Sequence, residues 1–297
     1  MGGGSYTGAD WRRLRESRKL STAATSNQIF TRTEMDQRFD PKFINIREAR
    51  DSEEHPDSTP IIIGLDVTGS MGYLATQIAK ESLNETMMKL YSTGVVPDPQ
   101  LMFAAIGDVI DRAPLQVTQF ESDIRIGEQL LDLWLENRGG DAPEDFELLW
   151  YFAAKHTSID SFEKRGKKGF IITIGDADVH TDVTGDNIAK IFNDSKFPYS
   201  SKRLLKMAQE KYEVFHINIS GKSSLNNFKD LLPGHIASVD RNEINRLPEI
   251  IISIIQLSLG ESLDKVLDQW DALTKPVVLR AVRDLDFSKQ KKKGFFF

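Results

Sequence analysis

Asp66, Thr68 and Ser70 occupy alternate positions in Asp66-Val67-Thr68-Gly69-Ser70-Met71-Gly72, directly after an apolar run. In extended backbone, alternate side chains point to the same side, so one carboxylate and two hydroxyls share a face. These are hard oxygen donors, suited to Mg²⁺, Mn²⁺ or Ca²⁺ and poorly suited to zinc. Thr68 or Ser70 would equally cap a helix, since Gly69 and Gly72 turn the chain into a helical pattern. A second acidic run follows later in the chain, Thr173-Ile174-Gly175-Asp176-Ala177-Asp178-Val179-His180. Between the two lies Gly139-Gly140-Asp141-Ala142-Pro143-Glu144. Asp141 has two readings. With Pro143 in a first turn and Glu144 three residues on, it fits an N-cap with a capping box; it also fits a metal ligand, direct or through water. Asp178 and His180 read as loop residues, because neither sits at a strand end.

The elements that must position these side chains are strands and helices in alternation. The apolar runs 61–67, 101–106, 169–174 and 212–219 are short and non-alternating, as expected for parallel strands buried on both faces. Helical patterns cover 71–91, 124–136, 143–156, 187–192 and 202–211. Residues 115–120 read as a short antiparallel edge strand and 235–239 as a sixth strand. The expected fold class is α/β: a doubly wound, mostly parallel six-stranded sheet with helices on both faces. In such sheets ligands bind outside the carboxyl ends of the strands, where the three oxygen-rich loops fall. Residues 1–58 form a polar arm, with five basic residues crowded into 10–19, expected to be solvated or loosely docked. The domain proper spans 59–260; Pro248 opens a helix, apolar nearly all round, that Gly260 ends. Residues 261–297 form a helical extension with a basic, then aromatic tail that reads as disordered. Trp134, Trp150 and Tyr151 lie on helical patterns and read as core.

The three loops together resemble the von Willebrand factor type A domain and its metal-ion-dependent adhesion site. In that family DxSxS follows the first strand, Thr or Asp lies in the second loop, and Asp ends the fourth strand. The resemblance implies a Rossmann-like fold over roughly 60–260 and, residue by residue, a metal site of Asp66, Thr68, Ser70, Asp141 and Asp176. The wording GGD-PED and GDA–H, with Gly107-Asp108 and then Phe120-Glu121-Ser122-Asp123, looks closest to intracellular branches of the family. These include bacterial, phage and alpha-kinase-associated proteins. One departure stands out: many metal-binding members carry Thr where this chain has Asp141. With Asp66, Asp141 and Asp176 all at Mg²⁺, the site would be over-neutralised and a poorer acceptor for a partner's carboxylate.

The 297 residues hold no cysteine, which excludes disulfide scaffolds, thiol catalysis and thiolate metal sites, and leaves oxygen and five histidines to hold any metal. The N-terminus has no apolar core of a secretory signal, and Tyr6 breaks the myristoylation pattern. The apolar stretch 250–259 is too short for a membrane span, and a net charge of −6 argues against nucleic acid. The expectation is a cytoplasmic protein. Ser220-Gly221-Lys222-Ser223 lacks the first glycine of a P-loop, because His216 stands there.

Three functions follow. In the first, a non-enzymatic module holds a divalent cation whose open position takes a partner protein's acidic residue, the resemblance pointing to an AAA+ ATPase or a kinase. In the second, the metal only stiffens the loops of a scaffold. The third is a Mg²⁺-dependent phosphatase of the haloacid dehalogenase type, with Asp66 as nucleophile; Thr68 stands where that chemistry needs an acid.

Overall fold

A computed structural model describes residues 5–21, 23–136, 143–219 and 224–287. Asp141, the segment 220–223 and the tail from 288 onward lie outside the described residues. Six strands form the main sheet: β1 (Thr59–Asp66), β2 (Pro99–Ile106), β3 (Leu115–Val117), β4 (Gly169–Gly175), β5 (Tyr212–Ile219) and β6 (Ile236–Val239). Their order is β6-β5-β4-β1-β2-β3, parallel throughout except for the antiparallel edge strand β3. This is the expected architecture, and it follows from β-branched runs such as Ile61-Ile62-Ile63 and Ile171-Ile172, which suit a pleated surface buried on both sides.

Alternate residues of each strand feed two apolar layers. One layer takes Ile61, Ile63, Phe103, Ile172 and Ile217; the other takes Ile62, Met102, Ile171 and Val214. The first layer is covered by α2 (Gly72–Gln77), α3 (Leu83–Thr93), α4 (Arg125–Leu131) and α8 (Leu247–Ser258). The second is covered by α5 (Phe146–Lys155), α6 (Gly185–Phe192) and α7 (Ser201–Lys211). Gly64 makes the closest approach: a Cβ there would lie 2.5 Å from Leu149 Cδ2, so glycine lets α5 lie directly on β1.

Several helices differ from the sequence expectation. The long helix after β1 runs as expected but is not uniform: a 3₁₀ turn at Gly69–Met71 leads into it, and a π-type segment at Ile78–Ser82 lies between α2 and α3. Helix α5 begins at Phe146 after Asp145, so Pro143 and Glu144 precede its first turn; the capping expected of Asp141 lies outside the described residues. Glu144 instead forms a parallel bridge with Val179, its N–H donating to the Asp178 carbonyl at 2.8 Å. The arm is docked: α1 (Gly8–Ser17) buries Trp11 and Leu14, and Tyr6, Ile29, Phe30 and Phe39 join the same core. Its polar composition concealed this, since the apolar residues are few and widely spaced. The C-terminal extension forms α9 (Leu263–Asp268) and α10 (Thr274–Val282), with α10 packed on α8 and β6.

Candidate metal centre

The chain reverses direction across the sheet between β1 and β4, the position where open α/β sheets bind ligands. Leu65 pairs with Ile174, so Asp66 ends β1 beside Gly175 and Asp176 at the end of β4. Asp66 is 1% exposed. Its Oδ1 accepts from the Thr68 N–H at 2.9 Å and lies 2.7 Å from the Thr68 hydroxyl. The tight turn that brings Thr68 back onto Asp66 continues through Gly69, whose φ of +29° favours glycine.

The Thr68 hydroxyl also lies 2.8 Å from Glu144 Oε1. Two buried carboxylates therefore flank one hydroxyl; among the described residues the other oxygen of each, Asp66 Oδ2 and Glu144 Oε2, is buried without a well-formed hydrogen bond, and the Asp176 N–H helps hold the Asp66 carboxylate. Burial, with Asp176 as a nearby like charge, pushes the Asp66 carboxyl up to about 7 against the pull of the Thr68 hydrogen bonds. Burial, then the Asp66 charge, pushes Glu144 up to about 8. Gly175 keeps the space open, since a Cβ there would sit 2.9 Å from Asp66 Cβ and 3.0 Å from its Oδ2.

Asp176 is held differently. Its Oδ2 pairs with Arg241 Nη2 at 3.1 Å, and the Arg241 guanidinium lies 4.9 Å from the centre of the Tyr73 ring. Of the five sequence candidates, the structure thus brings together Asp66, Thr68 and Asp176. Ser70 falls in the Gly69–Met71 turn that follows, and Asp141 lies outside the described residues. Glu144, Arg241 and Tyr73 were not foreseen at the site. Glu144 carried a signal, because it stands in the acidic middle loop, but its spacing from Asp141 read as capping. Arg241 carried none, being 65 residues from Asp176 in the chain.

Asp178 does serve as a loop residue: its carboxylate accepts from the N–H groups of Asn227 and Phe228, both at 2.9 Å, and caps the helix Asn226–Leu231.

The donor set suits a divalent cation. Two orphaned carboxylate oxygens beside a neutral hydroxyl are hard ligands, and a 2+ ion would neutralise Asp66 and Glu144 together, Asp176 being balanced by Arg241. A cavity of about 650 Å³ lies elsewhere, between the arm and α4, and is lined by Arg18, Arg38, Arg47 and Arg125 with Glu128 and Asp132.

No family model and no curated protein matches the chain. Similar solved structures include a von Willebrand factor type A protein from Catenulispora acidiphila, at 13% identity, covering 70% of this chain and 44% of that one, with a TM-score of 0.44. Proximal thread matrix protein 1 from the mussel byssus, with a zinc-occupied MIDAS motif, is 12% identical over 67% of this chain and 48% of that one, TM-score 0.46. The pilus adhesin SpaC from Lactobacillus rhamnosus GG, in its open conformation, is 9% identical over 70% and 31%, TM-score 0.45. The chain spans less than half the length of each of these structures. Among the described residues no helix is long and apolar enough to cross a membrane.

Proposed function

We propose that the chain is a non-enzymatic binding module of the von Willebrand factor A type, working in the cytoplasm. A Mg²⁺ ion, or Mn²⁺ or Ca²⁺, is held by Asp66, Thr68 and Glu144, with Ser70 from the sequence pattern, while Asp176 faces the site with its charge balanced by Arg241. Its open position takes an acidic residue of a partner protein, an AAA+ ATPase or a kinase by the family resemblance. The observation that supports this best is the pair of buried carboxylates on either side of Thr68, each with one oxygen that no well-formed hydrogen bond satisfies among the described residues. A neutral hydroxyl ligand leaves the ion electrophilic enough to accept a further carboxylate. A nucleophilic role for Asp66 fits less well, because one oxygen is engaged by Thr68 and the whole residue is buried.

Calorimetric titration of the metal-free chain with Mg²⁺ tests the cation. One site is expected, lost in Asp66→Asn; equal binding by both proteins rules out the assignment. The adhesive step is tested by partner capture with and without EDTA. Capture that survives in Asp66→Asn, accompanied by a large fall in melting temperature, favours the scaffold reading instead.

A further inference from the structure

A second acidic pocket opens beside the first site, and the Val179–Glu144 bridge builds it. Asp108 lies two residues past β2, Asp145 precedes α5, and His180 follows Val179, its N–H directed at the Glu144 carbonyl at 3.4 Å. One carboxylate oxygen from Asp108, one from Asp145 and one imidazole nitrogen from His180 lie within 4.8 Å of one another. Asp108 and Asp145 are 4% and 3% exposed, and His180 is half-buried. The three line a cavity of about 280 Å³ together with Asp182, Thr184 and Asn187.

The backbone orients the carboxylates. The Val109 N–H donates to Asp145 Oδ2 at 2.6 Å, and the Ile110 N–H donates to Asp108 Oδ1 at 3.0 Å. Loop geometry accounts for those two bonds but not for Glu147. That side chain is 0% exposed in the first turn of α5, and the side chain that comes within hydrogen-bonding reach of it is the carboxyl of Asp145, a like group rather than a donor. The charges that act on it most strongly are Asp145 and Asp182, both lining the same pocket and both of its own sign. The Lys190 ammonium, next to the pocket, donates to the Val109 carbonyl at 3.0 Å. Three buried carboxyl groups facing one another must be neutralised, by protons shared among them or by a cation.

We propose that Asp108, Asp145 and His180 form a second divalent-cation site, selective for a Zn²⁺-like transition metal, with Glu147 as the buried carboxylate behind it. The imidazole sets its selectivity. Mg²⁺ and Ca²⁺ favour all-oxygen sites such as that around Thr68, whereas Zn²⁺ favours mixed nitrogen and oxygen ligands at about 2.0–2.2 Å. Three protein ligands leave a coordination position of a tetrahedral ion for water or a substrate group. Glu144 joins the two sites, its carboxylate at Thr68 and its backbone bridged to Val179 and reached by the His180 N–H. The two ions would therefore be neighbours sharing one carboxylate's field. The second site does not depend on the function proposed for the first.

The test uses the full chain carrying Asp66→Asn, so that the first site is disabled, stripped with EDTA and titrated with Zn²⁺ against a chromophoric chelator in excess Mg²⁺. One Zn²⁺ equivalent is expected. Adding His180→Ala should weaken it at least tenfold, and so should Asp145→Asn, which keeps the shape of the side chain. Circular dichroism confirms that each variant is folded. Co²⁺ in place of Zn²⁺ should give shifted imidazole proton resonances that vanish with His180→Ala. No Zn²⁺ uptake in the Asp66→Asn chain, or uptake unchanged by both further substitutions, overturns the proposal.

Discussion

At Thr68 one hydroxyl proton faces two carboxylate acceptors, 2.7 and 2.8 Å away. It can serve only one of them, so the metal-free pair must retain a proton or take up a cation. That agrees with Asp66 and Glu144 being pushed up to about 7 and 8. A second buried titratable side chain, His216, lies in the layer beneath α5. Its Nδ1 is 2.9 Å from the Thr173 hydroxyl, its ring stacks on Phe228 at 3.9 Å, and its Nε2 has no partner. Burial pushes it down to about 3. In the unfolded chain His216 takes a proton near pH 6.5, while in the fold it stays neutral. Its contribution to stability is therefore full above pH 6.5 and is lost as pH falls toward 3, by up to about 5 kcal/mol. Urea unfolding between pH 7 and 4 should show a steeper loss of stability in the native chain than in His216→Gln. Parallel pH profiles for the two would show that the ring is protonated within the fold.

The elements that matter most to the site are those that end at it. Strand β1 delivers Asp66, β4 delivers Asp176, and the bridge before α5 delivers Glu144. The 3₁₀ segment Arg241–Arg246, which leads into α8, supplies the cation that faces them. Arg241 is half exposed, so its pair with Asp176 is worth about 0–1 kcal/mol. It nevertheless takes an oxygen that a bound ion would use. Arg241→Gln should therefore tighten Mn²⁺ binding by about two- to fivefold, measured by calorimetry at low salt. Weaker binding would mean that Arg241 supports the ion through Tyr73 instead of competing with it.

Across the whole molecule, segments far apart in sequence share one core. Trp11 of the arm is buried against Gly127 of α4, where an added Cβ would lie 2.9 Å from Trp11 Cζ3. The arm is thus part of the layer that also holds α3 and α8. Trp11→Ala should lower the unfolding free energy by about 3 kcal/mol in denaturant titration, with the transition still single. A change below half a kcal/mol would mean that the arm is detached in solution.

The sheet was legible because parallel strands buried on both faces must be apolar throughout, and runs such as 61–67 and 169–174 have few other uses. Asp66, Thr68 and Asp176 were legible for a related reason: a short turn after a strand fixes its side chains locally, before any long-range contact forms. Glu144 was misread, since its spacing from Asp141 matched a helix cap while the helix starts only at Phe146. His180, a loop residue by its place after the strand end, reaches Asp108 and Asp145 because Val179 bridges Glu144. Sequence alone determined the fold and the strand-end oxygens, because periodicity and turn chemistry act over a few residues. Tertiary structure alone decided the partners of those oxygens. Glu144 beside Thr68, Arg241 on Asp176 and His180 beside Asp108 are set by how layers pack, and packing joins residues that no local pattern connects.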